Sequence, residues 1–445
     1  MDRLWAHGHA AYVVGGSVRD SLLGRAADDW DLATDAQPDR LLAVFPGAVY
    51  ENQFGTVAVR EGEAVHEVTT FRTDHDYADF RRPHRVEFGD DLELDLARRD
   101  FTVNAIAWGA PAPDADGATR KTTLPPTPGI ADPFGGVADV SARVLRAVGD
   151  PPARFREDAL RMVRAVRLAA VLDFTVEPAT LEAIRANAAL AAHVSGERVA
   201  AELGKLLAAD RPSAGLRLMV EAGLLAVVLP EVDAQRGVPQ NKIEGEDLFD
   251  HTLRTVDAAP AGRPVVRLAA LLHDLGKPAT IDDGPFRGHE AVGAEMAEKL
   301  LDRLHMPRSA VGRVVHLVRN HMFTYEPDWG DAGVRRFIQR VGIDAIDDVF
   351  TLREADNIGS GVPADAHFLA HLRARVDAEL AASVVLDRSR LAVDGDDLMT
   401  ELGLPAGPRL GRILDELLER VIADPRLNDR ATLMLLAESM LADDR

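Results

Sequence analysis

Two adjacent glycines in Val13-Val14-Gly15-Gly16-Ser17-Val18-Arg19-Asp20, and the acidic pair that follows them, constrain this chain more than any other stretch. Tyr12–Val14 has the apolar content of a short buried strand. Gly15-Gly16 breaks it with residues that tolerate any backbone angle and, lacking Cβ atoms, let the main chain close on a phosphate. Ser17 suits the cap of a helix beginning there, which would turn free N–H groups toward an anion. Asp28-Asp29-Trp30-Asp31-Leu32 reads as a returning strand. Residues i and i+2 of a strand share a face, so Asp29 and Asp31 converge and Trp30 points away. Two convergent carboxylates beside a phosphate-sized turn suit a pair of Mg²⁺ ions clamping a nucleoside triphosphate.

The chain is 445 residues long, enough for several domains with their own cores. No apolar run approaches a membrane span, so no membrane partner is expected, and the start of the chain lacks a signal-peptide pattern. The absence of cysteine excludes disulfides and thiolate zinc sites. These features fit a cytoplasmic protein. A net charge of -21 argues against a general nucleic-acid binder, so any RNA contact must come from a local basic surface and from shape. One such surface exists. Between Arg143 and Arg167 seven arginines face only three acids.

Gly55–Val59 and Ala64–Thr69 read as a hairpin continuing the sheet. Phe71–Asp91, with Arg72, Tyr77, Arg81, Arg82 and Pro83, has no apolar period and reads as a mobile loop. Arg98-Arg99-Asp100 precedes an apolar helix start, where an arginine can hold a triphosphate bidentately. Residues 109–129, rich in Pro, Ala, Asp, Gly and Thr, read as a surface insertion. Glu157–Arg167 reads as one helix on which Asp158, Arg161, Arg164 and Arg167 form a ridge, with Leu160, Val163 and Val166 packed behind. Cytosine and adenine both present an amino donor beside a ring-nitrogen acceptor. An Asp accepting from the amino group and an Arg donating to the ring nitrogen would select these two bases together. On spacing alone, Asp158 and Arg161 read as an i,i+3 salt bridge.

From about residue 215 the pattern is helical. His251, the pair His273-Asp274, His289, His321 and Asp356 recur along it. Imidazoles mixed with carboxylates suit a divalent transition metal: Mn, Ni, Fe or Co. His316 is the nearest competitor of His321.

Taken together, Gly-Gly-x-Val-Arg-Asp, Asp-x-Asp-Leu-Ala-Thr-Asp, Arg-Arg-Asp-Phe-Thr-x-Asn-Ala and Glu-Asp-x-x-Arg resemble the motifs of the class II tRNA nucleotidyltransferases. That family comprises the CCA-adding enzymes and the related bacterial poly(A) polymerases. The later His-Asp set resembles the HD phosphohydrolase superfamily. The resemblance implies an α+β chain. A polymerase-β-like nucleotidyltransferase head with a mixed sheet (1–145) would precede an all-α neck (146–215), an HD domain (216–360) and a helical tail (361–445). It further implies addition of C, C and A to tRNA 3′ ends from CTP and ATP, with addition of A alone or of poly(A) as the alternative. An alarmone synthetase-hydrolase is more distant, because it places its HD part first. By this likeness Asp29 and Asp31 hold Mg²⁺ and Glu67 supplies a third carboxylate. Gly15, Gly16, Arg19 and Arg99 bind triphosphate, while Asp158 and Arg161 read the base with support from Arg164 and Arg167. Val194-Ser195-Gly196-Glu197-Arg198 resembles a further motif that would orient the base-reading helix. His251, His273, Asp274 and Asp356 match the four HD ligands, and His289 and His321 match extra ligands of some members.

Overall fold

A computed structural model describes the whole chain except residues 28, 51–54, 78–82, 113–126, 241, 284–285, 383–386 and 444–445. Asp28, Arg81, Arg82 and most of the 109–129 insertion therefore lie outside the described residues. The chain forms two compact units, residues 1–234 with 303–306, and residues 235–302 with 307–445. The first unit thus runs past residue 215 and includes the helices Pro212–Glu221, Leu225–Val228 and Pro230–Asp233.

After a short helix, Asp2–Ala6, the first part of the first unit contributes strands β1 (Ala11–Val14), β2 (Leu32–Thr34), β3 (Val49–Tyr50), β4 (Thr56–Glu61), β5 (Ala64–Thr70), β6 (Arg72–Tyr77), β7 (Pro83–Phe88), β8 (Ala107–Ala110) and β9 (Gly129–Ala131). Seven of them form one sheet in the order β3-β4-β5-β2-β1-β8-β9. The sheet is mixed, because β2 and β5 run parallel while the other pairs are antiparallel. β1 is buried along its whole length. Ala11 packs with Leu4, Leu41 and Val57 on one face, and Tyr12 and Val14 pack with Phe71, Leu96 and Ala105 on the other. A strand covered on both faces needs a continuous apolar run rather than alternation. β6 and β7 pair with each other as a separate two-stranded ribbon. The segment read as a loop is therefore paired at both described ends, since backbone pairing does not require an apolar period.

Helices make up most of the rest of this unit, apart from a two-residue parallel pairing of Val144–Leu145 with Thr175–Val176. The single helix expected over 157–167 is two, Pro151–Glu157 and Leu160–Leu172. Asp158 lies between them with an extended backbone (φ -145°, ψ 103°), and its carboxylate accepts the Leu160 N–H at 3.1 Å. Aspartate competes with the helix for such N–H groups, so it breaks helices where it can cap the next one. Leu160, Val163 and Val166 are buried as expected.

The second unit is helical. A reciprocal cap between Asp247 and Asp250 starts the helix Leu248–Ala258, which carries His251 in its first turn. The helix Pro264–Leu272 ends at His273, and the turn after it runs through Asp274 to Gly276. A Cβ on Gly276 would lie 2.1 Å from the His289 carbonyl oxygen, so only glycine lets the helix His289–Arg303 pack this closely against the turn. His321 follows the helix Arg308–Asn320, and Asp356 lies on the helix Ile346–Gly359. None of the described helices is long and apolar enough to cross a membrane.

Candidate active site and metal centre

In the head, Gly15 (φ 80°) is the residue before the helix Gly16–Leu22. A side chain at Gly15 would come within 2.9 Å of the Arg99 Nη1 atom, so its absence makes room for that guanidinium at the turn. Ser17 does not cap this helix; its hydroxyl donates to the Val14 carbonyl at 3.4 Å. Asp29 and Asp31 lie in the segment just before β2 rather than within it, and the Val14 N–H donates to the Asp31 carbonyl at 3.0 Å. The parallel register Leu32–Val68 sets Asp31 level with Glu67, which is exposed on β5. Burial pushes the Asp31 carboxyl above its ordinary range, and the Asp29 charge pushes it further, against the pull of Arg99. Two carboxylates that repel one another at a half-open turn form a donor set that a divalent cation relieves.

Behind the turn, the Arg98–Asn104 stretch is a hub for hydrogen bonds. Arg19 donates to Asn104 Oδ1 at 2.5 Å and binds its neighbour Asp20 with two nitrogens at 2.9 Å. Asn104 also donates to Asp100 at 3.1 Å, and Asp100 pairs with Arg164 at 2.8 Å. Burial alone would raise Asp100, but Arg164 and the Asn104 bond outweigh it and hold the carboxyl below the usual range. Arg154 and Arg161 donate to the carbonyls of Ala97 and Arg98 at 3.1 and 3.0 Å. They satisfy the acceptors left open at the end of the helix Leu92–Ala97.

The expected ridge is thus sealed by internal partners. Arg161 pairs with Glu157 at 2.8 Å, Arg164 with Asp100, and Arg167 with Glu202 at 2.8 Å. Asp158 does not bridge to Arg161. It is gripped by both terminal nitrogens of Arg198 at 3.1 and 2.7 Å while it caps the helix that bears Arg161, whose own guanidinium goes to Glu157.

In the second unit, His251, His273 and Asp274 bring one ligand atom each within 4.8 Å of one another, as do Asp274, His289 and His321. Asp274 is common to both groups. Asp356 Oδ1 lies 3.2 Å from His251 Nε2. The Nδ1 atoms of His273, His289 and His321 lie 2.8, 2.7 and 2.7 Å from the carbonyls of Ala270, Phe286 and Val318. A carbonyl can only accept, so in each neutral ring Nδ1 carries the proton and Nε2 presents a lone pair. Those lone pairs converge on each other, 3.3 Å apart between His289 and His321, and on the Asp274 oxygens at 3.1 to 3.6 Å. Buried acceptors facing acceptors call for a cation. Burial would raise Asp274 and Asp356. When protonated, His273 together with Lys277 beside the first, and His251 together with Lys242 beside the second, hold both well below the carboxylate range. His316 is not part of this cluster; its Nε2 lies 2.6 Å from the Val341 carbonyl.

Three family models match the chain: a poly A polymerase head domain over residues 11–146, a "probable RNA and SrmB-binding site of polymerase A" over 173–236, and an HD domain over 248–358. The CCA-adding enzyme of Geobacillus sp. (strain WCH70) is 35% identical over 423 residues, covering 95% of this chain and 91% of that one. The chain belongs to the CCA-adding enzyme family. With the CCA-adding enzyme of Geobacillus thermodenitrificans (strain NG80-2) the match rises to 49% identity over 219 residues, about half the length of either protein. The crystal structure of the Bacillus stearothermophilus CCA-adding enzyme in complex with CTP superposes with a TM-score of 0.72 at 31% identity, covering 100% of this chain and 96% of that one. The chain is thus a CCA-adding nucleotidyltransferase with a mixed-sheet head, a largely helical remainder and an HD domain.

Several residues that shape these sites were given no role in the sequence. Asn104 and Arg154 tie the head motif together, and Lys242, Lys277 and Arg353 surround the HD carboxylates. Lys277, in the same turn as His273 and Asp274, carried a signal in its spacing. Lys242 and Arg353 carried none.

Proposed function

We propose that the head extends tRNA 3′ ends with C, C and A from CTP and ATP, with Asp29 and Asp31 holding Mg²⁺ and Glu67 beside them. The observation that carries this reading is the pairing of Asp31, raised by burial and then by its neighbour Asp29, with a glycine turn that admits Arg99. Bound there, Mg²⁺ would supply charge for the attacking 3′-hydroxyl and the departing pyrophosphate. Arg99 and the Gly15-Gly16 backbone receive the triphosphate, and Arg19 holds the turn through Asn104. Asp158 and Arg161 meet the base edge once the incoming nucleotide exchanges for part of the contacts with Arg198 and Glu157. Arg164 keeps the helix Leu160–Leu172 against the hub through Asp100, and Arg167 ties that helix to Glu202.

The HD cluster of the second unit is read as a phosphohydrolase centre for phosphate ends or cyclic phosphates of RNA, loaded with Mn, Ni, Fe or Co. Its support is the donor chemistry of His251, His273, Asp274 and Asp356, with His289 and His321 completing a second group around Asp274. The deciding experiment for the head is incubation of the pure protein with tRNA lacking its CCA end and each nucleotide singly and together. Stepwise C, C, A addition is expected, whereas growth of a long A tail would identify a poly(A) polymerase instead.

A further inference from the structure

The cavity over the HD cluster has about 410 Å³ of free volume, and its rim shows features that metal ligation does not explain. Among the described residues of the second unit, three non-glycine residues have a left-handed backbone: Phe286 (φ 54°), His367 (φ 59°) and Phe368 (φ 58°). Phe286 and His367 both line this cavity, and Phe368 is the next residue along. Each such residue costs roughly 1–2 kcal/mol, and strain of this kind persists where surrounding structure imposes it, above all at functional sites. The imidazoles of this unit show a second contrast. His251, His273, His289 and His321 belong to the cluster, His316 is held by Val341, and His371 by Tyr325. His367 alone makes no hydrogen bond or ion pair with any described residue, and it is exposed. It is thus a free imidazole that a strained turn holds at the mouth of a cavity. Lys242, Lys277 and Arg353 line the same cavity and supply positive charge suited to phosphate oxygens.

We propose that His367 is a catalytic residue of phosphoester hydrolysis at this site, the proton donor to the leaving oxygen. The proposal rests on the hydrolase reading of the HD cluster. In the step, a bond forms between the water oxygen and phosphorus as the bond from phosphorus to the ester oxygen breaks. The electron pair left on the ester oxygen takes the ring proton of His367. The proton lost by the water goes to solvent, from which the imidazole is reprotonated. Imidazole is the side chain whose ordinary ionisation lies nearest neutrality, which suits it to this transfer.

The test compares full-length wild type and His367→Gln, both loaded with manganese, nickel or cobalt, on two esters. Adenosine 2′-monophosphate has a leaving group that needs a proton, and p-nitrophenyl phosphate has one that does not. The variant should lose about 100-fold or more in kcat on the first and less than about threefold on the second. A readout independent of turnover is the imidazole NMR signal that disappears in His367→Gln. In metal-free wild type it should shift saturably with phenylphosphonate. Because glycine relieves the turn, His367→Gly should melt no lower than wild type. Equal losses on both esters, a signal indifferent to phenylphosphonate, or a lower melting temperature for His367→Gly would each overturn the role of His367 and leave the hydrolase reading standing. A metal-loaded wild type inert on both esters would overturn that reading and this proposal with it.

Discussion

The carboxylates of the head and those of the HD cluster are the same chemical group in opposite states. Asp31 is pushed up by burial and by its neighbour, and Asp29 is exposed, so the head site carries unbalanced negative charge. Asp274 and Asp356 are buried more deeply, yet protonated imidazoles and lysines hold them ionised, and Arg353 pairs with Asp356. The difference fits the proposed role of each site. A site that takes up nucleotide and metal together, and releases pyrophosphate, gains from being incomplete without them. A site that retains a metal needs ligands fixed beforehand, and the backbone carbonyls behind His273, His289 and His321 do that fixing.

The largest effect expected from this comparison is at the head. Asp31→Ala should lower nucleotide addition by at least about a thousandfold, the scale of removing a group that stabilises transition-state charge. Its melting temperature should hold, since the lost side chain was a source of repulsion. A folded variant with near wild-type addition would sink the head assignment.

Asp274→Asn probes the other side. It preserves shape but removes the charge shared by both ligand groups. Metal content by mass spectrometry should fall from stoichiometric to near zero, and hydrolysis of 2′,3′-cyclic nucleotides should disappear with it. CCA addition should survive, because none of the head's groups depends on that ion. Parallel loss of both activities would make the metal a structural pin for the second unit and its surroundings.

The sequence was most informative where chemistry needs short spacing. Gly15-Gly16, Asp29 with Asp31, and Arg98-Arg99-Asp100 each lie within a few residues of one another, and their roles in the turn and hub follow from that proximity. It was least informative where partners come from distant segments. The capping of Ala97 and Arg98 carbonyls by Arg154 and Arg161 spans about sixty residues, and nothing local announces it. The break at Asp158 was missed because the apolar period of Leu160, Val163 and Val166 lies wholly after it and does not mark where that helix begins. The period reports burial, while the Asp158 carboxylate decides where the helix starts. In the second unit, the histidines were visible but Gly276 was not. Its importance appears only when the helix His289–Arg303 is seen against it.

A smaller effect is expected from the grip of Arg198 on Asp158. Asp158→Ala should relax base choice by roughly 1–3 kcal/mol, about five- to 150-fold, so that UTP or GTP competes, with less change in triphosphate affinity. Arg198→Ala should leave the carboxylate present but unaimed, giving a partial version of the same change. If Asp158→Ala loses all four nucleotides equally, Asp158 is a structural cap alone.

The smallest effect tests the electrostatic contrast within one unit, where both variants report on the same melting transition. Asp31 has a folded-state pKa above its unfolded value, so its ionised form costs stability at neutral pH, and that cost fades as pH falls below the unfolded value. Asp31→Asn should therefore raise the melting temperature at pH 7 in magnesium-free buffer, by on the order of 1–2 °C, with the gap closing toward acid. Asp100 has the opposite sign. Its folded-state pKa is depressed despite burial, because Arg164 and Asn104 favour the ionised form. The stability it contributes is present above the unfolded pKa and is lost as pH falls through the folded one, so Asp100→Asn should lower the melting temperature at pH 7 and lower it less in acid. Magnesium should erase the gain of Asp31→Asn, since the ion relieves in the wild type the repulsion that the variant removes. If Asp31→Asn instead melts lower than wild type in magnesium-free buffer at pH 7, the head carboxylates are as well compensated as those of the HD cluster, and the contrast between the two sites fails.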